Sequence, residues 1–257
     1  MNHSIPASGF HTFGTRLLPA LVLAVALPVA ARAQSTGNGF LFGAPMGSLT
    51  IRGGYANASA GSDLFAFSTD QLTLNRRDFS SPTVDIDLAF RTGARTDVVF
   101  GGSFAGTSKG SEFRHFVDQN NAAVRQNTTF QRVPLTISLR HYLTSRGRSV
   151  GNFAWVPARF TPFVGLGGGA TWYRFRQSGD FIDFKTNNVF PSTLESSGWA
   201  PTARAMAGAD YTLSPRLALT GQETYLWAKG GLSNDFSGFH RIDLSGLSTT
   251  LGLSVRF

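Results

Sequence analysis

Hydrophobic and polar residues alternate with a period of two along much of this chain. In TVDIDLAFR, residues 83–91, Val84, Ile86, Leu88 and Phe90 take one face while Asp85, Asp87, Ala89 and Arg91 take the other. Successive side chains of a β-strand point to opposite sides, so this alternation predicts a strand with two unlike faces. VPLTISLRHYL repeats the pattern, with Val133, Leu135, Ile137, Leu139 and Leu143 opposing Pro134, Thr136, Ser138, Arg140 and Tyr142. The end of the chain repeats it again: Leu247, Leu251, Leu253, Val255 and Phe257 oppose Ser248, Thr250, Gly252, Ser254 and Arg256. Eight segments of this kind lie at about 48–57, 83–92, 96–106, 128–144, 158–176, 197–213, 216–228 and 243–257.

A soluble sandwich also alternates, but its outer face meets water and accepts long charged side chains. Here the polar face is mostly Ser, Thr, Gly and Ala with a few charges of both signs, which suits a narrow lumen. The connections point the same way. TGAR at 92–95 and SPR at 214–216 are tight, whereas 58–82, 107–127, 177–196 and 229–242 are long and polar. Short turns on one side and long loops on the other are the asymmetry of outer-membrane barrels, and about ten tilted strand residues cross their ~25 Å apolar band. The expected fold is all-β: an eight-stranded antiparallel up-and-down transmembrane β-barrel occupying 48–257, with 34–47 as a short periplasmic lead.

A weak repeat marks the short side, an aromatic followed by an arginine in the turn: Phe90 to Arg95, Tyr211 to Arg216 and Tyr142 to Arg148. The third copy turns Tyr142 inward by parity, and a bulge would restore its facing. Nearby, Phe153 and Trp155 either rest at the periplasmic interface or belong to a loop packed on itself.

The run FVGLGGGATWYRF, 163–175, has two readings. Gly165, Gly167 and Ala170 satisfy the loose dinucleotide fingerprint, but Thr171, Trp172, Tyr173, Arg174 and Phe175 favour a strand, leaving no helix N-terminus for a phosphate. As a barrel strand, the run places Val164, Leu166, Gly168, Ala170 and Trp172 toward lipid. Its other glycines then make room inside the barrel and let a tightly curved wall bend. Trp172 and Trp199 would mark the outer aromatic girdle, with Tyr211 at the base.

The order TPFVGLGGGATWYRF, SPRLALTGQETYLW and a final LGLSVRF resembles the small eight-stranded outer-membrane barrels of the OmpA, OmpX and OmpW type, over residues 48–257. The resemblance implies that Leu251, Leu253, Val255 and Phe257 form the terminal signal read by the outer-membrane assembly machinery. No OmpA-like periplasmic peptidoglycan-binding domain is expected, since no residues follow Phe257.

The first 33 residues differ from the rest. Arg16 precedes an apolar run from Leu17 to Ala30, and Ala31-Arg32-Ala33 forms a small-x-small site before Gln34, the signature of a cleavable signal peptide. The run contains Pro19 and Pro28 and is short for a spanning helix; an uncleaved anchor is the alternative. No cysteine is present, which removes disulfides and thiolate metal sites. The net charge of +8 is scattered among 23 phenylalanines rather than gathered into a basic stripe, so anionic lipid is a better counterpart than nucleic acid.

By parity the lumen holds Asp85, Asp87, Arg91, Arg140, Arg204, Asp210 and Arg256, and buried charges need partners. An ion-pair network plugging the barrel is expected. Glu223 shares the face of Leu217 and Leu219; a carboxylate there would meet lipid, so a bulge or reversed facing is expected to carry it into the lumen.

For chemistry, His115, His141 and His240 are read as ordinary surface histidines, because His240, Asp243 and Ser245 have spacings that a strand does not bring into a triad. No catalytic, cofactor or metal residue is assigned, and the carboxylates of 63–78 and 180–183 lack the order of a calcium loop. SDLFAFSTDQLTLNRRDF forms either an ordinary extracellular loop or a short helix folded over the barrel mouth. Arg174 and Arg176, with Arg125 beside them, are candidate contacts for lipopolysaccharide phosphates.

The favoured reading is a non-enzymatic, monomeric barrel in the outer membrane of a Gram-negative-type bacterium, serving envelope integrity or surface interaction. A passive small-solute pore, a lipid A-modifying barrel enzyme and a secreted soluble sandwich are the alternatives.

Overall fold

The computed structural model describes residues 39–151, 153–183, 186 and 188–257. The expected signal peptide, 1–33, lies outside the described residues, as does the first part of the 34–47 lead.

Eight long strands form the wall: β1 (Gly47–Ala58), β2 (Ser81–Arg91), β3 (Thr96–Val117), β4 (Ala123–Tyr142), β5 (Phe160–Ile182), β6 (Val189–Thr212), β7 (Leu217–Gly230) and β8 (Gly246–Arg256). Each pairs antiparallel with its sequence neighbours, and β8 pairs with β1, so the sheet closes on itself. Closure leaves no strand edge within the ring, the condition for backbone to cross hydrocarbon as β-structure.

The ring is apolar outside and polar inside. Ile51, Val84, Ile86, Phe100, Leu135, Ile137, Leu139, Val164, Leu166, Leu251 and Leu253 are all exposed, while Thr50, Asp85, Asp87, Thr136, Ser138, Thr161 and Thr250 are buried. This is the reverse of a water-soluble sandwich, and it places each face as the alternation predicts. Trp172 and Trp199 stand opposite each other on β5 and β6.

The inward glycines of the run 163–175 sit where a side chain would strike the neighbouring strand. A Cβ on Gly165 would lie 2.7 Å from the Leu139 carbonyl oxygen, and one on Gly167 or Gly169 would press on the backbone of β4 still harder. The run is therefore a tightly curved stretch of wall and not a phosphate loop.

Two of the expected long loops are strand. β3, β4, β5 and β6 have 22, 20, 23 and 24 residues, and only 118–122 and 183–188 remain between them at that end. With about ten residues inside the apolar band, the rest run roughly 35–45 Å along the strand as a four-stranded extension. Alternation gave no sign of it because its outer face is polar and its buried inner face is largely polar too, with Ser111, Gln126, Thr128 and Gln177, so the two faces do not differ in hydrophobicity.

At the opposite end, Leu41–Phe42, Ala154–Pro157 and Gly147–Val150 form a small three-stranded sheet. Trp155 is buried in it and Phe153 is exposed, so the two aromatics play different parts. Tyr142 points inward with no bulge, since the β4–β5 register is continuous to Tyr142 and Phe163.

Candidate functional site

The lumen is filled in three storeys. Midway, Arg52 from β1 donates to Asp87 on β2 at 2.6 Å, and Arg140 from β4 reaches the same carboxylate oxygen at 3.1 Å. Arg204 comes from β6 on the far wall, with Nη1 3.6 Å from the other Asp87 oxygen and 3.0 Å from the Thr136 hydroxyl. Asp85 completes the group, 3.7 Å from Arg52. Gly101 makes this reach feasible: a Cβ there would collide with both the Arg204 guanidinium and the Asp87 carboxylate. Arg140 also lies over the Phe163 ring, 4.6 Å from its centroid.

Of the expected network, Asp85, Asp87, Arg140 and Arg204 are thus brought together. Asp210 is buried lower down, accepting hydrogen bonds from Tyr142 at 3.2 Å and Thr220 at 2.8 Å. Arg256 lies at the rim of the short-turn end, donating to Thr212. Arg91, at the end of β2, is exposed and donates to the Gly93 carbonyl; it is not part of the network because the strand leaves the barrel there. Arg52, absent from the expected network, is central. Its signal was available, since in LTIRGG it alternates with Ile51 and Gly53 and so shares the inward face.

Glu223 corrects the expectation of a lumen site. The β7 register runs without a bulge from Leu217 to Leu226 against β8 and from Ala218 to Ala228 against β6. Gln222 and Thr224 are consequently the buried neighbours, and Glu223 faces outward, accepting a 2.7 Å hydrogen bond from Thr249.

Above the ion cluster the barrel is apolar. Helix α1 (Asp63–Gln71) lies in the mouth and buries Leu64 and Phe65. The Phe65 ring meets those of Phe79, Phe130 and Phe175 edge to face at 4.6–5.7 Å, and Phe175 meets Phe236 likewise. Leu72, Leu74, Tyr173, Ile242 and Leu244 complete this plug. The segment is therefore a lid packed into the barrel, rather than an ordinary extracellular loop. It is held at the rim by Asp63, which accepts the His240 backbone N–H at 2.9 Å and lies 2.7 Å from His240 Nδ1. These bonds hold the Asp63 carboxyl below its ordinary value.

His240, Asp243 and Ser245 do not converge: His240 turns to Asp63, and the Ser245 hydroxyl bonds the backbone of Ala228. The outward arginines are paired with carboxylates. Arg174 and Arg176 share Glu195 at 2.9 and 3.9 Å, and Arg125 meets Glu112 at 3.0 Å. Arg125 stands apart from the other two, since Arg176 is level with Thr129, four positions lower on β4.

The terminal residues Leu251 and Leu253 face outward with Phe257, while the Phe257 backbone is tied to Met46 and Gly47. This seam closes the ring.

No protein-family model and no curated protein matches the sequence. Among solved structures, a major outer-membrane protein of Thermus thermophilus is similar at 12% identity and a TM-score of 0.46, covering 84% of this chain and 100% of its own. Neisserial surface protein A matches at 12% identity and 0.45, covering 82% and 97%. The outer-membrane protein OprG of Pseudomonas aeruginosa matches at 13% and 0.45, covering 84% and 99%. The described residues form a closed, eight-stranded antiparallel barrel with an apolar exterior, and two of these three similar structures are named as outer-membrane proteins.

Proposed function

We propose that this protein is a closed, non-enzymatic barrel of the outer membrane whose working surface is the strand extension of β3, β4, β5 and β6, held outside the cell. What supports this reading is the filling of the lumen: the ion cluster around Asp87 and the aromatic plug under α1 occupy the path that a solute would take. Eight strands enclose only enough space for side chains, and here the side chains use it. A barrel so closed serves the envelope by what it presents, not by what it passes. On the same reading it acts as a monomer, and Arg174 and Arg176, just above the Trp172–Trp199 pair, contact lipopolysaccharide phosphates while Arg125 lies too high on the extension to join them.

Planar-bilayer recording tests closure: the purified protein gives no step conductance, and regular channel openings would replace this reading with the passive pore. Protease applied to intact cells tests orientation; cleavage falls within 107–127 and 177–196 while the rest of the barrel is protected. Loss of lipopolysaccharide binding in the double variant Arg174→Gln/Arg176→Gln, with binding retained in Arg125→Gln, tests the contact.

A further inference from the structure

The end of the barrel opposite the extension holds a cavity that none of the foregoing uses. It has a volume of about 150 Å³ and lies between the strand ends and the small sheet that carries Trp155. Its charged lining is four arginines, Arg91, Arg95, Arg146 and Arg256, and two aspartates, Asp97 and Asp210. Arg146 is spoken for: its Nη1 contacts both Asp97 oxygens, at 2.7 and 2.9 Å. Asp210 is satisfied by the neutral donors Tyr142 and Thr220. Among the described residues, neither Arg91, Arg95 nor Arg256 lies within ion-pair distance of a carboxylate. Arg91 donates from Nε to the Gly93 carbonyl and Arg256 from Nη1 to Thr212, so each keeps several N–H groups unused.

We propose that this cavity is a binding site for a dianionic phosphate group. The surplus of two positive charges matches the charge of such a group. Guanidinium forks match its oxygens, with Arg256 half-buried in the wall and Arg91 and Arg95 at the exposed rim. A phosphate in this cavity accepts hydrogen bonds from Arg91, Arg95 and Arg256 without disturbing the Arg146–Asp97 pair. The ligand is either a free phosphate or the monoester headgroup of a lipid. The site does not depend on the surface role proposed above, because it lies at the other end of the barrel.

Calorimetric titration of the folded, full-length protein in detergent with inorganic phosphate tests this, with chloride as the control anion. Arg95, on an exposed turn, is replaced without touching the lumen, and folding of each variant is checked by heat-modifiable gel mobility. Arg95→Gln and the double variant Arg95→Gln/Arg256→Gln weaken phosphate binding by about tenfold or more, as loss of a charge-assisted contact requires. Arg148→Gln, an arginine of the same end outside the cavity, leaves it unchanged. Nanodiscs with and without phosphatidic acid distinguish the source: binding of inorganic phosphate assigns the site to a free phosphate, whereas lipid retention lost in Arg95→Gln, with no response to inorganic phosphate, assigns it to a headgroup. Phosphate binding equal in the wild type and the folded Arg95→Gln variant, or no binding of either probe, overturns the proposal.

Discussion

Arg52 and Asp87 lie on adjacent strands with their side chains 2.6 Å apart and almost wholly out of contact with solvent. The carboxylate is shared, since Arg140 and Arg204 approach it from two other strands. Three cations thus converge on Asp85 and Asp87 alone, and removing one carboxylate leaves buried positive charge without compensation.

Asp87→Asn is therefore expected to lower the unfolding free energy of the refolded barrel by about 3–5 kcal/mol, the range for breaking a buried ion pair. Urea titration in lipid vesicles, followed by the gel mobility of the folded form, measures it. A change below about 1 kcal/mol would mean that the cluster is hydrated and loosely held.

Gly101→Ala introduces a methyl group against the Arg204 guanidinium and the Asp87 carboxylate. Overpacking of this sort costs about 1–3 kcal/mol. Gly110→Ala, with no atom within 4 Å of the added carbon, serves as the control and leaves the same titration unaltered.

Glu223→Leu stabilises the barrel. The carboxylate faces outward among Gly221, Ala207 and Thr249, and its one side-chain hydrogen bond comes from Thr249. An acidic side chain on the lipid face costs less than the ~2–4 kcal/mol of a basic one, so a gain of about 1–2 kcal/mol is expected in vesicle unfolding. Loss of stability would show that Glu223 has a partner in the membrane.

The rim latch of the lid is sensitive to acid. Hydrogen bonds from His240 hold the folded Asp63 carboxyl below its ordinary value of 3.8. A group with a lowered folded pKa contributes stability above its unfolded value and loses it as the pH falls through the folded one. Hydrogen-exchange protection in the first turn of α1 is accordingly steady near neutrality and declines below pH 3.8. Asp63→Asn has lower protection at neutral pH and no such decline; an identical acid profile in the variant would remove Asp63 from the latch.

The sequence by itself determined which way each strand faces within the membrane. Lipid on one side and a narrow polar lumen on the other impose a period of two, and Val84, Asp85, Ile86 and Asp87 are placed correctly by counting alone. Even Arg52 was legible by this rule, and Glu223 obeyed it where an exception was expected: avoiding a costly outward carboxylate would have required a bulge, and the paired backbone of β7 has none.

Only the tertiary structure decided which inward side chains meet. Arg204 finds Asp87 from β6, across a lumen whose opposing walls depend on ring closure and on the opening left by Gly101, and no local pattern encodes that distance. Above the membrane the same limit applies for another reason. The extension carries polar residues on its outer face and largely polar ones, such as Ser111, Gln126, Thr128 and Gln177, on its buried inner face, so alternation ceases to mark a strand while the backbone of 107–112 and 177–182 continues to pair. The lid was undecided in the sequence because Leu64 and Phe65 become an interior surface only once a barrel mouth exists to receive them.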